Sequence, residues 1–345
     1  MKLLTAKKRK IAIIFTGGLG DTLLFIPLLK ELKKKQFSIT CIFYARDKND
    51  CLFDESLFDH KVHINSKTGL FVFALKNRKR FVNFYINHLG NGRAIYLTAA
   101  MSSYRVTRTA VLKTINSQLC RNIRVESALS DAEQNLHLLY TAANARINNI
   151  QDFYLTLPRQ ATDAMQDAYI IQVSAGNNTT PFKNWPMQNW IGLVTKLCYT
   201  FQNSSFIIVG DAFETGYANA FEKLNIPNCK VLIGKTSVVE VFDLVASSKG
   251  YIGLDSGIMH MAVALQKKTV TLFGASDEQL YGYSQLDNAR HLVITSSISC
   301  RPCAAWKNAN TSRVTDPMQC PDLACLTNIK EADVFDSLVA HFNLH

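Results

Sequence analysis

The stretch Tyr251-Ile-Gly-Leu-Asp255-Ser256-Gly257-Ile-Met-His260-Met-Ala-Val-Ala-Leu265, followed by Lys268-Thr-Val-Thr-Leu-Phe273-Gly274, decides the fold. It reads as a short apolar strand, a polar turn, a helix and a second apolar strand. Asp255 and Ser256 stand where a helix N-cap is expected, and Gly257 lets the backbone pass close to a ligand. The first amides of such a helix lack intrahelical partners and sit at the positive end of its dipole. A phosphate is the natural guest of that turn. Strand–turn–helix is a common pattern, and a plain N-cap accounts for Asp255 or Ser256 equally well.

The remaining chain repeats the theme. Lys10 to Phe15 is an all-apolar strand, as a central parallel strand should be. Thr16-Gly-Gly-Leu-Gly20-Asp21 is a tight glycine turn, and Thr22 to Lys35 is helical by spacing. Pro27 should kink that helix or shift its start. Strands are expected at 38–44, 60–66 and 93–98, and helices at 70–89 and 131–145. A second set opens with a strand at 169–174 and a polar loop holding Thr179, Thr180 and Lys183. A helix at 187–199 and strands at 205–210 and 229–233 follow. A helix at 237–247 then leads back to the quoted stretch. Alternating strands and helices in both halves predict two doubly wound α/β domains. Their expected extents are 1–160 and 167–328, with a helix at 329–345 packing across the junction and a linker near 159–166.

With 345 residues, 48% of them hydrophobic and 19% charged, a packed protein of two domains is expected. No apolar run approaches the roughly 18 residues of a membrane helix. Lys7-Lys-Arg-Lys10 before Ile11-Ala-Ile-Ile-Phe15 imitates a signal peptide, but Gly17-Gly18 ends the apolar part too early. A cytoplasmic protein is expected. The net charge of +11 is uneven: residues 1–160 carry 25 Lys+Arg against 11 Asp+Glu, a balance of +14, and the remainder balances to −3. An anionic partner for the front half follows, with nucleic acid, anionic head groups and a phosphorylated glycolipid all qualifying on charge. A merely basic, soluble surface is the plainer alternative.

Glycines in the first turn invite a dinucleotide-binding reading, but the fingerprint fails. After Gly18 and Gly20 its third glycine would fall at position 23, which is Leu23. Asp21 lies past the carboxyl end of the first strand, where open α/β sheets place ligands, and either caps the next helix or works as a base. Four of the nine cysteines cluster as Cys300-Arg-Pro-Cys303 and Cys320-Pro-Asp-Leu-Ala-Cys325. A structural zinc site of four cysteines, a redox pair and unligated thiols are all open readings.

Four ordered motifs run through most of the chain: Gly20-Asp21 with Pro27, Lys183-x-Trp185-Pro186, Gly210 with Glu214, and Asp255-Ser-Gly with His260 and Phe273-Gly274. The set resembles glycosyltransferase family 9, the heptosyltransferases of bacterial lipopolysaccharide. The resemblance implies a GT-B fold with the active site between two Rossmann-like domains. It implies an inverting transfer from ADP-L-glycero-β-D-manno-heptose to the lipid A–inner core glycolipid, at the cytoplasmic face of the inner membrane. That acceptor is phosphate-rich, in keeping with the basic front half, and nucleic acid drops out as a partner. Asp21 would be the general base. Thr179, Thr180, Lys183 and the helix beginning at Ser256 and Gly257 would hold the diphosphate, and Glu214 the ribose. Asp255 would reach a sugar hydroxyl, and His260 either touches the donor or packs under the helix. Catalysis would need no cofactor. The chain departs from the family where many members carry G-P-[ST]-x-P: here Gly274-Ala-Ser-Asp-Glu-Gln lacks both prolines, leaving the sugar and the base open. Another nucleotide sugar such as an ADP- or UDP-hexose, another acceptor, or a non-catalytic nucleotide-sugar-binding protein are the alternatives.

Overall fold

The computed structural model describes residues 10–15, 18–44, 52–53, 55–78, 80–81, 83–86, 105–109, 121–124, 129–137, 146–155, 167–175, 180–303 and 317–345. The chain divides into two compact units, Met1–Thr156 and Leu157–His345.

The first unit is a parallel sheet of strands β1 (Lys10–Phe15), β2 (Ser38–Tyr44), β3 (His60–Ile64), β4 (Asn83–Ile86), β5 (Arg105–Thr109) and β6 (Arg121–Arg124). Their order is β3-β2-β1-β4-β5-β6. Strand β1 is buried from Ile11 to Phe15, so its apolar run follows from packing on both faces. The helix expected at 22–35 is two helices, Leu19–Leu23 and Ile26–Lys34. Pro27 sits in the first turn of the second, where its missing N–H costs nothing, and so sets where that helix starts. The expected helix 70–89 is also shorter, Lys67–Lys76. Asn77 stops it, donating Nδ2–H to the Phe73 carbonyl and accepting from Arg80, and β4 then follows. A β-prone run at Asn83-Phe-Tyr-Ile86 wins over helical spacing there. The helix expected at 131–145 is seen as Asp131–Leu136, and of its remaining expected residues only His137 is described. The expected strand 93–98 and the linker 159–166 lie outside the described residues.

The second unit repeats the plan with β7 (Ala168–Gln172), β8 (Ser205–Val209), β9 (Cys229–Val231), β10 (Gly250–Leu254), β11 (Lys268–Leu272) and β12 (His291–Ile294). The order β12-β11-β10-β7-β8-β9 is the same winding as in the first sheet, read from the other edge, and all pairings are parallel. In each sheet the order reverses between the first and fourth strands. That point opens a crevice at the strands' carboxyl ends, where doubly wound sheets bind ligands. The C-terminal helix Glu331–Phe342 packs on the helix Met187–Thr200 and on β11, with Phe342 against Tyr169 and Phe335 against Phe201.

Candidate active site

In the second unit, β7 and β10 are neighbours in register, with Ile171 beside Ile252. The loops leaving both therefore open onto one crevice. From the β10 side come Asp255, Ser256 and the helix Gly257–Ala264. From the β7 side comes the loop that ends in the turn Pro181–Lys183. Lys183 Nζ reaches across to Asp255 Oδ2 at 2.6 Å, with the two side chains 16% and 5% exposed. Burial pushes the Asp255 carboxyl up, but the Lys183 ammonium beside it, and His260 after it, outweigh burial and hold it below its ordinary value. The pair joins two loops over the crevice floor.

The motif around Lys183 works as an anchor. Trp185 is fully buried, donates Nε1–H to the Ile329 carbonyl at 3.1 Å and meets Trp190 edge-on with ring centroids 5.0 Å apart. Pro186 caps the helix that follows. Asn184 Oδ1 accepts the Ala175 N–H, and Thr180 Oγ1 donates to the Ala175 carbonyl at 2.6 Å. Both ends of the loop are tied down, so Lys183 is held in place by its backbone. Thr179 lies outside the described residues. Thr180 turns its hydroxyl to its own loop.

The N-cap is Ser256, not Asp255: its Oγ accepts the Met259 N–H at 3.4 Å and is hydrogen-bonded to Gln172 Oε1. Beneath it the Tyr251 hydroxyl donates to Gln172 Oε1 at 2.8 Å and accepts the Leu254 N–H. Tyr251 is fully buried, and burial pushes its phenol well above the ordinary value. Gln172, at the end of β7, also donates to the Ser174 carbonyl. This buried network holds the two strand ends and the cap together. Its traces in the sequence are faint: Gln172 is a polar residue ending an apolar strand, and Gly253 sits two positions after Tyr251 on the same face. A Cβ on residue 253 would lie 2.6 Å from Tyr251 Cζ and 3.1 Å from the Gln172 carbonyl oxygen. Gly253→Ala is therefore expected to destabilise the unit by about 1–3 kcal/mol through overpacking. A melting curve and the near-UV tyrosine signal check this.

Glu214 is buried at the start of the helix Thr215–Glu222, its carboxylate folded against Gly210 so closely that a Cβ there would overlap Oε2. His260 is buried under its helix, with Nδ1 2.7 Å from the Tyr283 hydroxyl and the rings edge to face.

The loop after β11 departs from the family pattern yet is firmly built. Asp277 caps the short helix Glu278–Tyr281 by accepting the Gln279 N–H, and the Tyr281 ring centroid lies 5.9 Å from Lys183 Nζ. Arg301, between the first two clustered cysteines, donates Nε–H to the Gly274 carbonyl at 2.8 Å and Nη2–H to Glu278 at 2.9 Å. Cys303 N–H adds a bond to the Ala275 carbonyl. Sequence reasoning misses Arg301, whose only signal is a charged residue inside C-x-x-C. Arg301→Gln leaves a carboxylate and a carbonyl short of a charged donor, a loss of about 1.5–3 kcal/mol. Expected are a lowered melting temperature and a donor KM raised about tenfold for each 1.4 kcal/mol reaching the loop, with kcat moving less. Steady-state kinetics against donor concentration decide it.

Zinc ligation is one of the three open readings of the cysteine cluster. Cys300, Cys303, Cys320 and Cys325 line one cavity of about 10 Å³, and none of the four is in a disulfide. Yet among the described residues no three His, Cys, Asp or Glu side chains are grouped to hold a metal ion. Burial, and after it the neighbouring Cys303 and Cys320, push the Cys325 thiol up to about 12.

In the first unit Asp21 stands in the first turn of the helix Leu19–Leu23 that follows β1, at the end of the sheet where the crevice between β1 and β4 opens. It is half-buried and accepts the Gly18 N–H through Oδ2 at 2.9 Å, so it closes the first turn of its own helix. A carboxylate accepts several hydrogen bonds at once, so this cap and a substrate hydroxyl can share it.

Two Rossmann-like units, each with charged residues at its switch point, define an α/β protein of the GT-B architecture. The particular group follows from comparison. The model of glycosyltransferase family 9 (heptosyltransferase) matches residues 108–312, more than half of the chain, and the chain belongs to that family. Lipooligosaccharide heptosyltransferase 2 of Haemophilus influenzae is 28% identical over 115 residues, which is 32% of each protein. The match thus spans about a third of that curated relative's length. The structure of E. coli ADP-heptose lps heptosyltransferase II has a TM-score of 0.71 at 18% identity, covering 97% of this chain and 98% of that one. E. coli heptosyltransferase WaaC with ADP-2-deoxy-2-fluoro heptose gives 0.62 at 16% identity, covering 96% and 99%.

Proposed function

We propose that this chain is an inverting glycosyltransferase that moves a heptose from ADP-L-glycero-β-D-manno-heptose to the lipid A–inner core glycolipid. The observation that carries the reading is the Lys183–Asp255 pair over the helix N-terminus at the β7/β10 switch point. A donor diphosphate entering there meets an ammonium and the first amides of a helix. Asp255 keeps Lys183 oriented until the diphosphate takes its charge. Thr179, Thr180, Ser256 and Gly257 would line the phosphate path, Glu214 the ribose, and His260 would hold the helix through Tyr283. Leaving-group charge builds on the β-phosphate and is neutralised in place, so the chemistry calls for no cofactor. Asp21 takes the proton of an acceptor hydroxyl as its oxygen attacks the anomeric carbon from the face opposite the diphosphate. The C–O bond to phosphate breaks, ADP leaves, and the configuration inverts. The expected work place is the cytoplasmic face of the inner membrane. Among the described residues no helix is long and apolar enough to cross a membrane, so contact there would be peripheral. No step passes through zinc; a metal at Cys300, Cys303, Cys320 and Cys325 would act only by holding the turn around Arg301. The names of family relatives, lipooligosaccharide and lipopolysaccharide heptosyltransferases, support the donor and acceptor classes. Isothermal titration of ADP and UDP against the full chain tests the base. Tighter ADP is expected, and preference for UDP would move the reading to a hexose donor.

A further inference from the structure

The helix Lys67–Lys76 carries no acidic residue and buries only one side of itself. Leu70 and Ala74 face the sheet, joining Ala12, Ile14, Ile42 and Ile64. The opposite side exposes Phe71, Val72 and Leu75 at 48%, 42% and 49%. These three are contiguous on the helix surface. Lys67, Phe71 and Leu75 form one row at spacing four, and Thr68, Val72 and Lys76 form the next. The apolar ridge is thus bracketed lengthwise by a lysine at each end. Elsewhere among the described residues Tyr199, Phe213 and Met318 are exposed singly, and Val238 and Val239 stand beside Glu240, as is ordinary for a soluble surface.

Charge selects what covers this ridge. Residues 60–125 contain 12 Lys+Arg and not one Asp or Glu. Arg78 and Arg80, just past the helix, are also exposed. A protein partner would need a long run of matching acids. An anionic bilayer supplies head groups at any position, takes Phe, Val and Leu into the acyl boundary, and lets lysine stems run out to the phosphates. The geometry points to this helix as the membrane-docking surface of the chain, seated on anionic lipid with Phe71, Val72 and Leu75 inserted. The assignment deepens the peripheral contact proposed above, but it rests on this helix and not on the transfer reaction.

The test uses the full chain and sedimentation with large vesicles, of phosphatidylcholine alone or with a third phosphatidylglycerol. Wild type should sediment with the anionic vesicles and release with salt. Phe71→Ser/Val72→Ser/Leu75→Ser should lower the partition constant at least about tenfold, at an unchanged melting temperature because the side chains are exposed. Lys67→Glu/Lys76→Glu should remove most of the preference for anionic over neutral vesicles. Turnover on a water-soluble acceptor fragment should be the same for all, so a failed transferase reading and a failed docking reading give different results. Serine-variant binding equal to wild type would overturn the assignment. So would equal wild-type binding to both vesicle types, or self-association in sedimentation equilibrium that the serine variant abolishes, which would give the face to a second copy.

Discussion

Asp21→Ala should lower kcat by about 10²–10⁴-fold, the usual worth of a positioned general base, with donor KM little changed. The expectation rests on where the turn after β1 stands: at the carboxyl end of the first strand, beside the switch point of its sheet. A carboxylate there has a second task, because Oδ2 accepts the Gly18 N–H and closes the helix Leu19–Leu23. Removing it therefore also loses a cap, about 1 kcal/mol. Asp21→Asn separates the two tasks. Its amide oxygen still accepts from Gly18, so the melting temperature should stay near wild type. It cannot accept a proton, so kcat should fall as far as in the alanine variant. A kcat that recovers in Asp21→Asn would make Asp21 a capping residue and nothing more. Steady-state turnover and a melt on the three proteins give the answer.

Lys183→Ala should lower turnover by about 10²–10³-fold, the cost of losing one charge-stabilising donor. It also strands Asp255, 5% exposed, without its ammonium. Breaking a buried pair on one side costs about 3–5 kcal/mol. The double variant Lys183→Ala/Asp255→Asn should regain most of that stability, because no buried charge is left, yet regain none of the turnover. That split tells a diphosphate ligand from a structural ion pair. The pH dependence has a definite sign. The Asp255 carboxyl is held below its ordinary value in the folded protein. Its contribution to stability is complete above the unfolded-state value of about 3.9 and is lost as pH falls through the folded value. The stability gap between wild type and Lys183→Ala should therefore be widest above the variant's carboxyl value, which burial raises once the ammonium is gone, and should close as pH falls from there through the lower folded value of wild type.

The winding of both sheets is legible in the sequence because β1, β7 and β10 are buried on both faces and write that burial as apolar runs. The helix at Gly257 is legible because Ser256 caps it. What escapes the sequence is long-range. Lys183 and Asp255 are far apart in the chain, and only the parallel crossover brings β7 beside β10. Gln172, Tyr251 and Gly253 each have a bland local reading; their shared network exists only once the two strand ends meet. Arg301 is masked by its flanking cysteines, whose spacing suggests metal, while the guanidinium holds the loop at Gly274. Spacing overstates the helix at 67–76 because Phe81 onward keeps a helical pattern of apolar residues. Asn77 stops it by a side-chain bond that no periodicity records.

One measurement bears most directly on the proposed transfer: incubation with ADP-L-glycero-β-D-manno-heptose and an inner-core acceptor, with the anomeric configuration of the product read by NMR. Expected are ADP release that requires acceptor, a new α-linked heptose, and the near loss of both in Asp21→Ala. A β-linked product, or undiminished turnover in Asp21→Ala, would contradict it.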